Sequence, residues 1–217
     1  MSLNFRITAS VVALVVVAAV VSVVIIDRES DSRAMLLPDK VMKVFQEPKP
    51  LTTFSLTDQN DQVFDLASLK GKWSFVFFGY THCPDVCPMT LAKLAKVHAY
   101  ITKNMANAKD IQFVFVSVDP NRDSSARLAE YVHYFDSTFL GVTGDDAQIA
   151  NLAGQLSATY KVKVKAGVDN YPVFHTPGVF LLDPRARYYA VFSPPHDPEA
   201  IGKRFQLLWK IEGGHPA

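Results

Sequence analysis

Followed by the alternation of apolar and polar positions, the chain divides into one unbroken apolar run, a polar stretch, and a series of short segments whose period changes from two to about 3.6. Ile7–Ile26 (ITASVVALVVVAAVVSVVII) holds 20 residues without a charge, close to the roughly 20 that a helix needs to cross a bilayer. A cleaved signal peptide would have an apolar region of about 7 to 15 residues closed by a small-x-small site. This run is longer and ends Val23-Val24-Ile25-Ile26, so it is expected to be a membrane anchor over residues 7–26. Residues 27–50 mix Asp, Arg, Glu and Ser with Pro38, Pro48 and Pro50 and keep no sustained period. They read as a tether with one short helix over Asp39–Phe45.

From Leu51 onward the pattern is that of one folded domain, residues 51–217. Thr53–Leu56 and Gln62–Leu66 alternate around the turn residues Asp58–Asp61, which predicts a hairpin. Ser68–Lys72 reads as a turn leading into Trp73–Gly79, a continuous apolar run expected to be a strand covered on both faces. Leu91, Leu94, His98, Ile101 and Met105 then step by three or four, the mark of an amphipathic helix. Ile111–Val118 predicts a second buried strand, Ser125–Phe135 a helix, Phe139–Val142 a short third strand, and Thr143-Gly144-Asp145 the cap of a helix running to about Tyr160. Lys161–Lys165 alternates like an exposed strand. Gly178–Leu182 and Tyr188–Phe192 form a strand pair, and Pro198–Ile211 a closing helix. Strands alternating with helices imply an α/β fold with a parallel element. The order matches a thioredoxin-like domain with an extra N-terminal hairpin, preceded by one transmembrane helix.

Composition removes some function classes. The 217 residues carry a formal net charge of +1, so there is no basic field to hold nucleic acid. Arg6 precedes the apolar run while Asp27, Glu29 and Asp31 follow it, which keeps residues 1–6 in the cytoplasm by the positive-inside bias. The expected location is a bacterial inner membrane, crossed once, with the folded domain in the periplasm. Only two cysteines are present, both in Tyr80-Thr81-His82-Cys83-Pro84-Asp85-Val86-Cys87-Pro88 at the end of the first buried strand. Four positions apart, they fall one helical turn from each other, able to clasp a soft metal or close a disulfide. Two unrelated buried thiols are the alternative. Pro88 suits a first helical position and makes Cys87 the N-cap, where the helix dipole is expected to lower its thiol pKa below about 8.5.

The motif resembles that of the Sco/SenC family of membrane-anchored, thioredoxin-fold copper proteins that help assemble the binuclear copper site of cytochrome c oxidase. The likeness runs from about Leu51 to Trp209 through Phe54-Ser55-Leu56-Thr57-Asp58, Gly79–Pro88, Val116-Ser117-Val118-Asp119-Pro120 with Arg122-Asp123, Phe139–Gly144, and His175 ahead of Phe180-Leu181-Leu182-Asp183-Pro184. It implies copper, as Cu(I) or Cu(II), on Cys83, Cys87 and His175, and a partner that is the copper-site subunit of cytochrome c oxidase or another periplasmic copper or thiol protein. The family commonly has aspartate before the histidine and serine after it; here these are Phe174 and Thr176.

Two thiolates and an imidazole suit Cu(I), whereas structural zinc normally takes four firm ligands, for which His82 or Asp85 could be recruited. Two functions remain open. One is a metallochaperone passing copper on by ligand exchange. The other is an enzyme, a thiol-disulfide oxidoreductase with Cys83 and Cys87 as its redox pair. A cis Thr176-Pro177 bond facing the thiols is expected for the second; a peroxidase reading has the fold alone behind it. His82 could tune Cys83, and Asp85 could stabilise the loop through backbone hydrogen bonds. His98 reads as a packed core residue, Asp119-Pro120 as a strand-ending turn, and His133, His196 and His215 as surface or loop residues. Met35 and Met42, in the tether, are too far apart for a methionine copper motif.

Overall fold

The computed structural model describes residues 15–17, 41–105, 108–162 and 171–212. The chain forms two compact units, Met1–Leu37 and Pro38–Ala217. In the first, residues 15–17 are helical and exposed; the rest of the expected anchor over residues 7–26 lies outside the described residues. Among the described residues no helix is long and apolar enough to cross a membrane.

The second unit is an eight-stranded sheet in the order β1-β10-β9-β4-β5-β6-β2-β3, built from β1 (Met42–Pro50), β2 (Leu56–Asp58), β3 (Val63–Phe64), β4 (Trp73–Gly79), β5 (Ile111–Ser117), β6 (Leu140–Thr143), β9 (Val179–Leu182) and β10 (Arg187–Phe192). β7 (Tyr160–Val162) and β8 (Val173–His175) pair separately as a two-stranded ribbon. The helices are a single turn α1 (Leu66–Leu69), then α2 (Val86–Asn104), α3 (Ser125–Phe135), α4 (Asp146–Gln155) and α5 (Pro198–Ile211). β4 runs parallel to β5 and antiparallel to β9, and β5 runs parallel to β6. All seven residues of β4 and of β5 are buried, as their unbroken apolar runs require.

Phe75 and Phe77 of β4 and Phe113 and Phe115 of β5 share one face. Phe205 of α5 packs on Phe75 at 4.9 Å, His98 of α2 on Phe113 at 5.4 Å and Tyr131 of α3 on Phe115 at 5.5 Å. This aromatic layer fixes α2 over the sheet and so fixes where its first turn emerges. At Gly202 of α5 a Cβ would come within 2.4 Å of the Tyr100 ring of α2, so the two helices approach closely only because that position is glycine.

Several expectations change. Residues 42–50 are an edge strand on β10, not tether or helix. Met42 is 1% exposed, Phe45 packs on Tyr188 at 4.6 Å, and the pairing shifts register between Val44 and Lys49. That irregularity, with Pro48 and Pro50 tolerated on an edge, hides the period-two pattern. The Ser68–Lys72 turn begins as the helical turn α1, held by reciprocal bonds between Asp65 and Ser68. The helix expected to reach Tyr160 stops at Gln155, because Ser157 takes a left-handed φ of 56°. β7 ends at Val162, and Lys163–Lys165 lie outside the described residues.

Candidate metal centre

β4 ends at Gly79, and the chain turns at once, with the Cys83 amide donating to Tyr80 O at 3.2 Å. Asp85 is the N-cap of α2 by its backbone, its side chain making no capping bond. Cys87 is therefore the second helical residue and Pro88 the third, correcting the expected N-cap at Cys87. Proline fits there because the first four amides of a helix have no internal acceptor in any case. Glycine at position 79 is what admits the thiol: a Cβ there would lie 2.7 Å from Phe115 Cε2 and 2.9 Å from Cys87 Sγ.

The loop is tied to the end of β5 by Asp123, whose side chain is 0% exposed. Its carboxylate accepts from the Thr81 amide at 2.9 Å, the Thr81 hydroxyl at 2.7 Å and the Ser117 hydroxyl at 2.5 Å. A buried carboxylate stays in place when it is this fully hydrogen-bonded. Asp119, expected as a turn residue, is also buried, at 1% exposure, and takes the Tyr171 hydroxyl at 2.6 Å and the Arg122 guanidinium.

His175 arrives on β8, just ahead of β9, the strand that pairs with β4. Its Nε2 lies 3.2 Å from Cys87 Sγ across 88 residues of sequence, and the Cys87 amide points at Cys83 Sγ at 3.4 Å. The ligand atoms of Cys83, Cys87 and His175 all lie within 4.8 Å of one another. His175 Nδ1 is 3.2 Å from Thr176 O, which can only accept. With the proton on Nδ1, this carbonyl accepts it and Nε2, the ring atom nearest the sulfurs, is the one a metal would take.

The two thiols differ in acidity. Cys83, half-buried, is lowered to about 3, chiefly by the hydrogen bond from Cys87 and against its own burial, with the His175 ring and then the backbone amides of Asp85 and Cys87 adding to the shift. Cys87, fully buried, is pushed upward by donating that bond and by desolvation. The acidic thiol is Cys83, not Cys87 as the helix-dipole argument suggested, because burial and the shared proton outweigh the dipole's small effect.

The other candidates separate. His82 is 46% exposed and lies 3.7 Å from Asp123 Oδ1, outside the ligand cluster. Asp85 is exposed, so neither residue completes a four-ligand zinc set among the described residues. Phe174 is 57% exposed. Thr176 is turned away to Thr159, donating its amide at 2.8 Å. Among the described residues the cis peptide is Pro194-Pro195, so Thr176-Pro177 is trans, against expectation. His98 packs on aromatic rings but also pairs with Asp136 at 2.6 Å. His196, expected as a surface or loop residue, lies in the loop before α5 but is 3% exposed, and its ring lies 2.6 Å from Pro177 O. Met42 belongs to the core, His133 is exposed, and Met35 and His215 lie outside the described residues. Gly79, Asp119, Arg122, Asp123 and Tyr171 were not singled out as site residues; two carboxylates and an arginine crowded within Asp119–Asp123, directly after a buried strand, were the available signal.

Two sulfurs and one imidazole nitrogen converging at a half-buried rim are a soft, low-coordinate donor set that fits Cu(I) better than hard cations or structural zinc. Known proteins point the same way. A SCO2-like protein of Rickettsia felis is 34% identical over 150 residues, covering 68% of this chain and 71% of its own. The structure of Bradyrhizobium japonicum ScoI with copper bound superposes with a TM-score of 0.64 at 35% identity, covering 73% of this chain and 99% of that one. Arabidopsis thaliana ScoI with copper bound gives 0.67 at 30% identity, over 73% and 98%. These likenesses place the domain in the thioredoxin-like fold. The SCO1/SenC pattern matches residues 45–210, from within β1 to the last turn of α5 and across Cys83, Cys87 and His175, so the chain belongs to the SCO1/SenC family.

Proposed function

We propose that this chain is a copper metallochaperone, anchored in a bacterial inner membrane by residues 7–26, that holds copper on Cys83, Cys87 and His175 in the periplasm and passes it to the binuclear copper site of cytochrome c oxidase. The observation that carries the reading is the convergence of Cys83, Cys87 and His175 within 4.8 Å. Solved relatives with copper bound support it. Three ligands at a partly open rim can be exchanged one at a time for those of a recipient. The test is anaerobic Cu(I) titration of the full chain in detergent with parallel thiol counting. One copper per chain is expected, lost in Cys83→Ser and Cys87→Ser and weakened in His175→Ala. Full binding in the cysteine variants rules the site out.

A second reading is favoured by the split acidity. A half-exposed thiolate beside a buried thiol is the arrangement of an exchange pair. Cys83 attacks a partner's disulfide and forms a mixed disulfide, releasing one partner thiolate, which takes up a proton. Cys87 then loses its proton, attacks Cys83 and frees the second partner thiolate, leaving a Cys83–Cys87 disulfide and a reduced partner. Thiols prepared in this way on the recipient would serve the same copper site. Turnover of a disulfide peptide by the metal-free reduced protein supports this role; a pair that stays reduced beside that peptide argues against it. The trans Thr176-Pro177 bond withdraws the cis-proline argument for it.

A further inference from the structure

We propose that Arg122 is a positioning residue that holds the His175 strand against the thiol loop. The inference deepens the copper reading and rests on it only where copper is the probe. Among the described residues β8 has no ladder with the main sheet and pairs with β7 alone, and a two-stranded ribbon by itself is marginal in water. Yet it must deliver an imidazole nitrogen to 3.2 Å from Cys87 Sγ. Tyr171, just ahead of β8 and 7% exposed, fastens the ribbon at its entry, beside the ring contact of His175 with Phe77 at 5.6 Å. Its hydroxyl donates to Asp119 Oδ1 at 2.6 Å, and its ring lies 3.7 Å from the Arg122 guanidinium carbon. Arg122 also donates to Tyr171 O at 3.3 Å and to the second oxygen of Asp119. The same guanidinium lies 5.6 Å from the ring of Tyr80, which itself meets His175 at 6.4 Å. One planar cation therefore bonds a buried carboxylate, stacks on an aromatic ring and binds a backbone carbonyl, a combination that lysine cannot reproduce. It joins the end of β5, the thiol loop and the segment entering β8.

The test compares Arg122→Gln, His175→Ala and the double variant, each as the full chain in detergent. In the metal-free reduced protein the magnetisation transfer between the His175 ring and the Cys87 β-protons is expected to be present in wild type and lost in Arg122→Gln, with both thiols still titratable and helix content unchanged. Cu(I) affinity should fall about 10- to 100-fold in Arg122→Gln. In the His175→Ala background the same substitution should cost less than about twofold, the limit expected when a residue acts only through its partner. Retention of the His175–Cys87 transfer in Arg122→Gln, or losses that multiply in the double variant, would overturn the proposal. If Arg122→Gln does not fold, Tyr171→Phe removes only the hydroxyl bond to Asp119; it should weaken the same transfer, and an unchanged transfer counts against the clasp. A wild-type chain that binds no copper sinks the copper reading, while the metal-free measurement still decides the role of Arg122.

Discussion

Cys83 and Cys87 carry the same group one helical turn apart, and their surroundings give them opposite tasks. The depressed pKa of Cys83, lowered first by the bond from Cys87, makes it a thiolate at any physiological pH. Cys87 keeps its proton because burial and the same bond both oppose ionisation. Iodoacetamide should therefore alkylate Cys83 alone, at a rate nearly flat from about pH 8 down to pH 5, where a free thiol of pKa about 8.5 slows tenfold per unit. Mass mapping against pH checks this, and a tenfold fall per unit at Cys83 would refute the assignment. The sign for stability follows from the same shift. A folded pKa below the unfolded one contributes stability that is complete above about pH 8.5. That contribution is lost as pH falls toward about 3. The thiol pair was legible from spacing alone. His175 was legible only through a resemblance, since one histidine in a loop has no pattern. Gly79 and Asp123 were not, because their roles depend on Phe115, Cys87 and Thr81, which reach them only through the fold.

Among the elements, β4, α3 and α5 could be read from the chain to the residue, because each presents an unbroken apolar run or a clean helical period between clear caps. β1 could not: its pairing on β10 breaks register midway, and its exposed side mixes Lys43, Gln46, Glu47 and Lys49. A soluble domain cut at Leu51, where the sequence places the boundary, would remove β1 and uncover β10. The cut takes away Met42, which is 1% exposed, and the ring contact of Phe45 with Tyr188. Loss of one buried methionine side chain alone costs about 2–5 kcal/mol, and the bared edge of β10 invites pairing between chains. A protein starting at Leu51 should melt lower than one starting at Asp39 and associate as its concentration rises. Calorimetry and sedimentation of the two proteins decide it, and equal melting temperatures with both monomeric would show that β1 contributes little. The start of α2 was misread by two residues because proline is tolerated at any of the first positions of a helix, so Pro88 marks the first turn without marking its first residue.

For the whole folded unit, the centre is a meeting of distant segments. Cys87 and His175 are 88 residues apart in sequence, and Tyr171 is fastened to Asp119 across 52. A metal bridging the first pair closes a long loop that the unfolded chain closes only at an entropic cost. Copper should therefore stabilise the fold, not merely occupy its rim. At free Cu(I) 100 times the dissociation constant, linkage gives about 2.7 kcal/mol when the unfolded chain binds none. For a domain of this size that is a rise in melting temperature of about 5 to 11 °C, and unfolded thiols that capture some copper make the rise smaller. Removing copper with a strong Cu(I) chelator should reverse the shift. His175→Ala should keep only part of it at the same free copper, since two thiolates four positions apart close a much shorter loop. Oxidation of Cys83 and Cys87 to a disulfide should abolish it, because both sulfurs are then spent as ligands. Scanning calorimetry at buffered free copper makes the comparison, and a full shift surviving in the oxidised protein or in Cys83→Ser would mean that copper stabilises the fold from some other place.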